Sequence, residues 1–557
     1  MIDVGRSARP RSPAPLGRKL LCLALLVFLV LPSAARAQRV AYIPLDDPAM
    51  ATIDALVARG ALRTLSSIDR PYYAAAVRDA AADALDFADR FHAKLVAPRA
   101  WYEQAIASGQ RYAGPDVRIH RCESTINARP GVTDVRCVGG GDGMRAGDAS
   151  IELDPFVTAQ TTGSRELLLG SEDKSAEPGG DVRFGLDAEN VGGIARLRID
   201  RALKRDPEFA GKKDRSVAAR MEEAYVGGRW RYVALATGRV ARNWGPAPLG
   251  GLQVGHYADS YDHLYLRFGT DALNLSSIVA RLDDMTLGTD SVAQRYFTAH
   301  RLAMRWRALD VAASEAIVYG GKARGFEPSL ANPLSVLDLA QYTDHQSMNV
   351  NYGLDVALRT AGRGYYAAQF LLDDFQIDKC NPNCKEPSST GLSVVAEAVP
   401  TGTAARAFGS YTRVTNLTYR APNAWERYSY LGLGLGRGQS DYDELRAGVE
   451  LAPPAGGPLR LYVATRRQGQ GDYRLPFPAP VDYATTPAIF AGVVEHVHRA
   501  AIRWTTSGRV SLDADVGYDW MRDADHVAGR DRDGFVGRVR LSLTPALRLA
   551  GSFAQSQ

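Results

Sequence analysis

From Val510 to Trp520 every second residue is apolar or aromatic (Val510, Leu512, Ala514, Val516, Tyr518, Trp520), and those between are Ser511, Asp513, Asp515, Gly517 and Asp519. The same beat runs through Phe535, Gly537, Val539, Leu541 and Leu543, with Arg538, Arg540 and Ser542 on the other face. It recurs in Leu302, Met304 and Trp306 against Arg301, Arg305 and Arg307, and in Val350, Tyr352, Leu354, Val356 and Leu358 against Asn349, Asn351, Asp355 and Arg359. A period of two is the signature of a strand whose faces meet different surroundings. Here the polar face carries charge after charge, so it must meet water or other charges. The pattern continues through Leu445–Leu451, Leu459–Thr465 and Leu547–Phe553, and the region from residue 111 to 557 is too long for one sandwich.

Individual runs reach nine to eleven residues, the length of a tilted strand crossing a bilayer. Tyr (25) exceeds Phe (16), and aromatic residues gather near strand ends, as interfacial girdles require. In hydrocarbon every backbone N–H and C=O must be paired, and strands achieve this only by closing on themselves. The expected fold is therefore an all-β transmembrane barrel. At ~24 residues per strand and turn, the region gives about 18 antiparallel strands. The polar, Gly-rich stretches Gly139–Gly147, Thr161–Gly180, Asp378–Thr390 and Arg466–Pro480 are expected as loops, the longer ones outside.

The N-terminus explains how such a chain reaches a membrane. Arg18-Lys19 precede twelve apolar residues, Leu20 to Leu31, then Pro32 and Ala35-Arg36-Ala37. This reads as a signal peptide over residues 1–37, cut before Gln38; twelve residues fall short of the ~20 a spanning helix needs. It also explains the charge. The whole chain is formally +5, but residues 1–37 hold six basic side chains and one acidic, leaving 61 of each in the mature protein. A nucleic-acid partner is thereby disfavoured. The four cysteines beyond the signal form two local pairs, Cys122 with Cys137 and Cys380 with Cys384, which in an oxidising compartment are disulfide candidates.

Residues 38–110 have a different period. Asp47 and Pro48 open a helix with Ile53, Leu56 and Val57 on one face and Gly60 at its stop. A second runs from Asp69-Arg70-Pro71 through Tyr73, Val77, Leu85, Phe91 and Leu95, and Trp101–Ser108 makes a short third. This small α-helical element is expected on the periplasmic side, ahead of a barrel spanning 111–557.

The most specific segment is Arg239-Val-Ala-Arg242-Asn-Trp244-Gly245-Pro246-Ala-Pro-Leu249-Gly-Gly-Leu252. It resembles the basic residue and Trp-Gly-Pro turn of the capsule assembly Wzi family of outer-membrane proteins. Arg59-Gly60, Arg70-Pro71-Tyr72, Tyr319-Gly320-Gly321, Tyr365-Tyr366 through Asp373-Asp374, Tyr411-Thr412-Arg413 and Gly492-Val-Val-Glu495 are similar to that family in the same order. The resemblance implies an 18-stranded barrel in the outer membrane of a Gram-negative bacterium. It also implies a role in surface attachment or export of capsular or exopolysaccharide, with the polymer met by external loops. The Cys pairs are outside the family pattern.

Each candidate for chemistry also has a plainer role. Trp244 offers a flat face for a sugar ring and Arg239 and Arg242 a fork for a uronate, which makes these three the ligand-binding candidates; the plainer reading is an interfacial Trp beside a Gly-Pro turn. Asp283-Asp284 and Asp373-Asp374 point to opposite strand faces and are expected at loop ends or lining the lumen. His496 and His498 share one face, expected to be lumenal. Gly432, Gly434 and Gly436 alternate with Leu as in a strand. No nucleophile elbow, phosphate loop or dinucleotide fingerprint occurs. We expect a non-enzymatic protein without cofactor or metal, whose partners are polysaccharide and outer-membrane lipid; a porin or specific channel is the alternative.

Overall fold

The computed structural model describes residues 38–113, 122–125, 134–137, 145–169, 173–188, 191–288, 291–343, 347–360, 363–374, 388–398 and 405–554. The signal-peptide reading over 1–37 lies outside them. The disulfide expected between Cys380 and Cys384 also lies outside the described residues.

Eighteen strands form one antiparallel wall. They are β1 (Arg145–Gln160), β2 (Ser175–Ala188), β3 (Val191–Asp200), β4 (Ala219–Arg229), β5 (Val233–Arg239), β6 (Asp262–Gly269), β7 (Leu273–Arg281), β8 (Ser291–Trp306) and β9 (Leu309–Lys322). There follow β10 (Asn349–Thr360), β11 (Gly364–Asp374), β12 (Ser389–Ala398), β13 (Ala405–Val414), β14 (Tyr442–Leu451), β15 (Leu459–Gln468), β16 (Glu495–Thr506), β17 (Val510–Arg522) and β18, which runs Arg532–Leu543 and resumes as Leu547–Ala554. Each strand pairs with its sequence neighbours, and the last closes on the first: Arg538 faces Gln160, Ser542 faces Phe156, and beyond an interruption at Thr544-Pro545 Leu547 faces Leu153. Closure leaves no unpaired edge in the wall.

The alternation read from sequence becomes an inverted protein. Val463, Ile502, Val516, Trp520, Phe535 and Leu541 point outward and are exposed, forming the lipid-facing belt, while Arg301, Arg406, Arg466 and Arg499 point inward and are almost completely buried. The connections alternate as well. Eight are short, such as 307–308 and 507–509, and nine on the opposite rim are longer, including 161–174, 240–261, 415–441 and 469–494. Short turns mark the periplasmic end of such barrels and long loops the external end. The loop expected from Thr161 ends before Gly180, because Ser175–Gly180 belongs to β2, and the one expected from Arg466 starts later, because β15 continues to Gln468. The leucine-glycine run at 432–436 is not a wall strand: only Leu433–Gly434 is extended, paired with Ser429–Tyr430 inside the 415–441 loop.

Among the described residues three helices precede the wall: α1 (Ala49–Ala58), α2 (Ala74–Phe91) and α3 (Arg99–Ala113). Asp47 accepts the Ala49 amide at 2.8 Å, and Gly60 turns the chain at φ 69°. α1 is buried nearly all round rather than on one face. The reason is its position, since the segment sits in the short-turn end of the barrel. Arg59, just past α1, bonds Glu450 of β14 at 2.9 Å, and the Gln104 side chain of α3 reaches the Gly456 carbonyl. Tyr42 stacks on Tyr73, and its backbone amide bonds the Tyr225 hydroxyl of β4. A separate two-stranded hairpin sets Cys122 opposite Cys137 in backbone register.

Candidate functional site

The 240–261 loop leaves the external end of β5 and turns inward rather than outward. Asn243 and Trp244 pair as a short antiparallel strand with Arg70 and Asp69 of the N-terminal segment. The Gly245 and Ala247 amides bond the carbonyls of Ile68 and Ser67, and Arg70 reaches from the Asp54 carboxylate (2.9 Å) to the Leu249 carbonyl (2.6 Å). A loop from the long-loop rim and the helical segment from the short-turn rim thus meet inside the barrel.

The wall secures this junction. Gln369 of β11 accepts the Leu252 amide at 2.7 Å and donates to the Trp244 carbonyl at 2.8 Å. Arg301 of β8 pairs with Asp355 of β10 at 2.8 Å, bonds the Ile68 carbonyl and lies over the Trp244 ring. The 415–441 loop folds in behind. The Tyr419 and Tyr428 hydroxyls bond the carbonyls of Leu252 and Gln253, and the Gly255 amide bonds the Leu435 carbonyl. Asp373 holds the Tyr419 amide at 2.6 Å, and Asp283 holds the Leu431 amide at 2.8 Å and Arg295 at 3.1 Å. These two carboxylates therefore anchor a loop, while Asp284 pairs outside with Arg281.

The candidate sugar residues fall into place here. Trp244 is fully buried, so the face that would stack on a sugar ring is covered by protein, and it is not at the membrane interface either. Arg242 is buried over the Tyr265 ring and donates to His263 at 2.8 Å. Arg239 alone stays near the rim, paired with Asp262 at 2.9 Å. His496 and His498 point away from the lumen; His498 contacts Thr465 on the outer face, and it is their neighbours Val497 and Arg499 that turn inward. The physical reason is register: Glu495 faces in, so even-numbered positions face out. Among the described residues no cluster of three metal-ligating side chains occurs.

Sequence reasoning missed a cavity of about 550 Å³ between this plug and the β13–β18 and β1–β4 side of the wall, beneath the loops at 161–169 and 201–206. Its lining holds ten arginines and six carboxylates. Most of the arginines are matched. Arg466 bonds Glu166 at 2.5 Å, and Arg446 bonds Glu444. Around Asp515 the balance fails. It lies directly opposite Arg503 on one side and Arg538 on the other, yet its oxygens are taken by Arg499 and the Tyr462 hydroxyl, both at 2.9 Å. Among the described residues Arg503, Arg538 and Arg437 form no salt bridge; Arg437 has the Ser393 and Thr412 hydroxyls, Arg538 the Ser164 carbonyl. His256 lines the same cavity, and enclosure by the barrel, then Arg70, Arg437 and Arg503, hold its imidazole down at about 4. In Arg538 and Arg540, two apart on β18, the sequence displayed the arginine row, but not which partners they lacked.

No family model matches the chain, and neither does any curated protein. Among solved structures it is similar to Wzi, titled an outer-membrane protein involved in group 1 capsule assembly in Escherichia coli and a carbohydrate-binding β-barrel. Identity is 12% over 93% of this chain and 99% of that one, with a TM-score of 0.56. Pseudomonas aeruginosa OprD and OpdK align over 73% of this chain and 96% and 99% of theirs at 12% and 11% identity, with TM-scores of 0.39 and 0.40, too low to carry an argument. The chain is an 18-stranded antiparallel barrel of the outer-membrane type, with the fold of Wzi.

Proposed function

We propose that this barrel binds capsular or exopolysaccharide at the outer surface of a Gram-negative cell and serves its attachment or export, without catalysing a reaction. The observation that carries this reading is the junction across the lumen, where Asn243-Trp244 of an external loop pairs with Asp69-Arg70 of the helical segment. A diffusion channel needs a free path, and here the path is crossed by backbone hydrogen bonds and backed by a second inward loop. The likeness to a carbohydrate-binding barrel supports the same reading. The polymer would meet the outer loops, whose inner halves are fixed by the plug.

Deleting the gene and comparing cell-associated with released polysaccharide tests the proposal. The expected result is a shift of polymer from cell to medium. Unchanged partitioning sinks the reading. In planar bilayers the intact protein is expected to show no large stable conductance, and a variant lacking residues 243–255 to show one; a large conductance from the intact protein would instead establish the channel alternative.

A further inference from the structure

The arginine-lined cavity lies apart from the Trp244 junction that crosses the lumen, and among the described residues three of its guanidinium groups, those of Arg437, Arg503 and Arg538, form no salt bridge. With ten arginines against six carboxylates, Asp513 and Asp515 among them, the lining keeps an excess of positive charge, and the fork geometry of a guanidinium suits a planar carboxylate. At about 550 Å³ the space falls within the ~300–1,000 Å³ typical of small-molecule sites. The plug side of the cavity is equally specific. A methyl group added at Gly250 would lie 3.3 Å from an Arg437 guanidinium nitrogen and 3.7 Å from the His256 ring, so the absence of a side chain there keeps room between these groups. We propose that this cavity binds an acidic sugar residue, its carboxylate held by guanidinium groups drawn from Arg437, Arg503 and Arg538 and its ring lodged against Gly250 and His256. The inference rests on the polysaccharide reading above and deepens it, naming uronate-type sugars as the class preferred.

The test uses the purified full-length barrel in detergent, with calorimetric titration of trigalacturonate and of its methyl ester, which has the same shape without the charges. The acid is expected to bind at least tenfold tighter than the ester. Arg503→Gln and Arg437→Gln should each weaken the acid at least fivefold, Arg503→Lys should retain most of the binding, and Arg281→Gln, on the outer rim, should leave it unchanged. Heat-modifiable mobility on gels establishes that each variant is folded. Equal binding of acid and ester overturns the proposal, as does a loss in Arg281→Gln as large as in Arg503→Gln. Full competition by inorganic phosphate at matched concentration also overturns it, since the site would then select charge and not sugar. Because this assay uses soluble oligomers, its failure with polymer retention intact removes the cavity proposal alone, whereas unchanged polymer partitioning on cells removes the reading beneath it.

Discussion

At the scale of single residues, the wall and the plug are joined by buried charges whose neutral neighbours offer no substitute. Arg301 and Asp355 are both almost wholly buried at 2.8 Å. Replacing one partner of such a pair leaves a charge without compensation, typically about 3–5 kcal/mol. Asp355→Asn should therefore lower stability by that order in urea unfolding of the reconstituted barrel. Trp244→Ala separates two roles. With its ring enclosed, the substitution should leave saccharide binding unchanged while raising bilayer conductance; a selective loss of binding would restore the stacking role anticipated for it. His256 gives a pH signature. Its folded-state imidazole titrates below the unfolded value of ~6.5, so as pH falls from there to about 4 the unfolded chain takes up the proton first and stability declines. Screening by solvent and salt keeps that slope shallow. Proton-detected titration of the ring should find it neutral at pH 6, and a ring charged there would exclude this account.

At the scale of elements, the sequence disclosed the wall and concealed its contents. Val463, Trp520 and Phe535 announced the outer face because lipid demands an apolar side chain at every second position. The side chains opposite had to be polar, and Arg499 and Asp519 show why they could be charged: they neutralise each other across the strands at 2.7 Å. Loops 240–261 and 415–441 carry no such period, so their direction could not be read. The residual signal was glycine. A methyl group on Gly255 would fall 2.1 Å from the Gly436 carbonyl oxygen, and one on Gly436 would fall 2.0 Å from that of Leu252. Backbones that approach this closely leave no space for a Cβ, and a cluster of glycines in two separate loops is the mark of loops packed on each other. Gly255→Ala should disturb that contact by about 1–3 kcal/mol, detectable as increased protease cleavage within 415–441. On the wall, Val463→Arg places a charge on the lipid face and should cost about 2–4 kcal/mol near the bilayer midplane, measured by the same urea titration.

For the molecule as a whole, the two ends of the barrel are unlike. The short-turn end is stoppered by helices α1 to α3, which bring a hydrophobic core: Ile53, Leu56 and Trp101 are completely buried, in one cluster that also includes Tyr265, Ile278 and Phe297 of the wall. The long-loop end is held from within, because loops 240–261 and 415–441 hydrogen-bond to each other, to Gln369 and Asp373 of β11, and to Asp283 in the 282–290 connection. A loop fastened in this way has already surrendered its conformational entropy during folding. Under the polysaccharide role proposed above, a polymer segment settling on it would order little that is not ordered beforehand, so modest contact area would suffice for recognition. Such a polymer repeats its unit along its length, so one strand would engage many barrels in the same membrane, and the weak hold of each would become a firm hold by all.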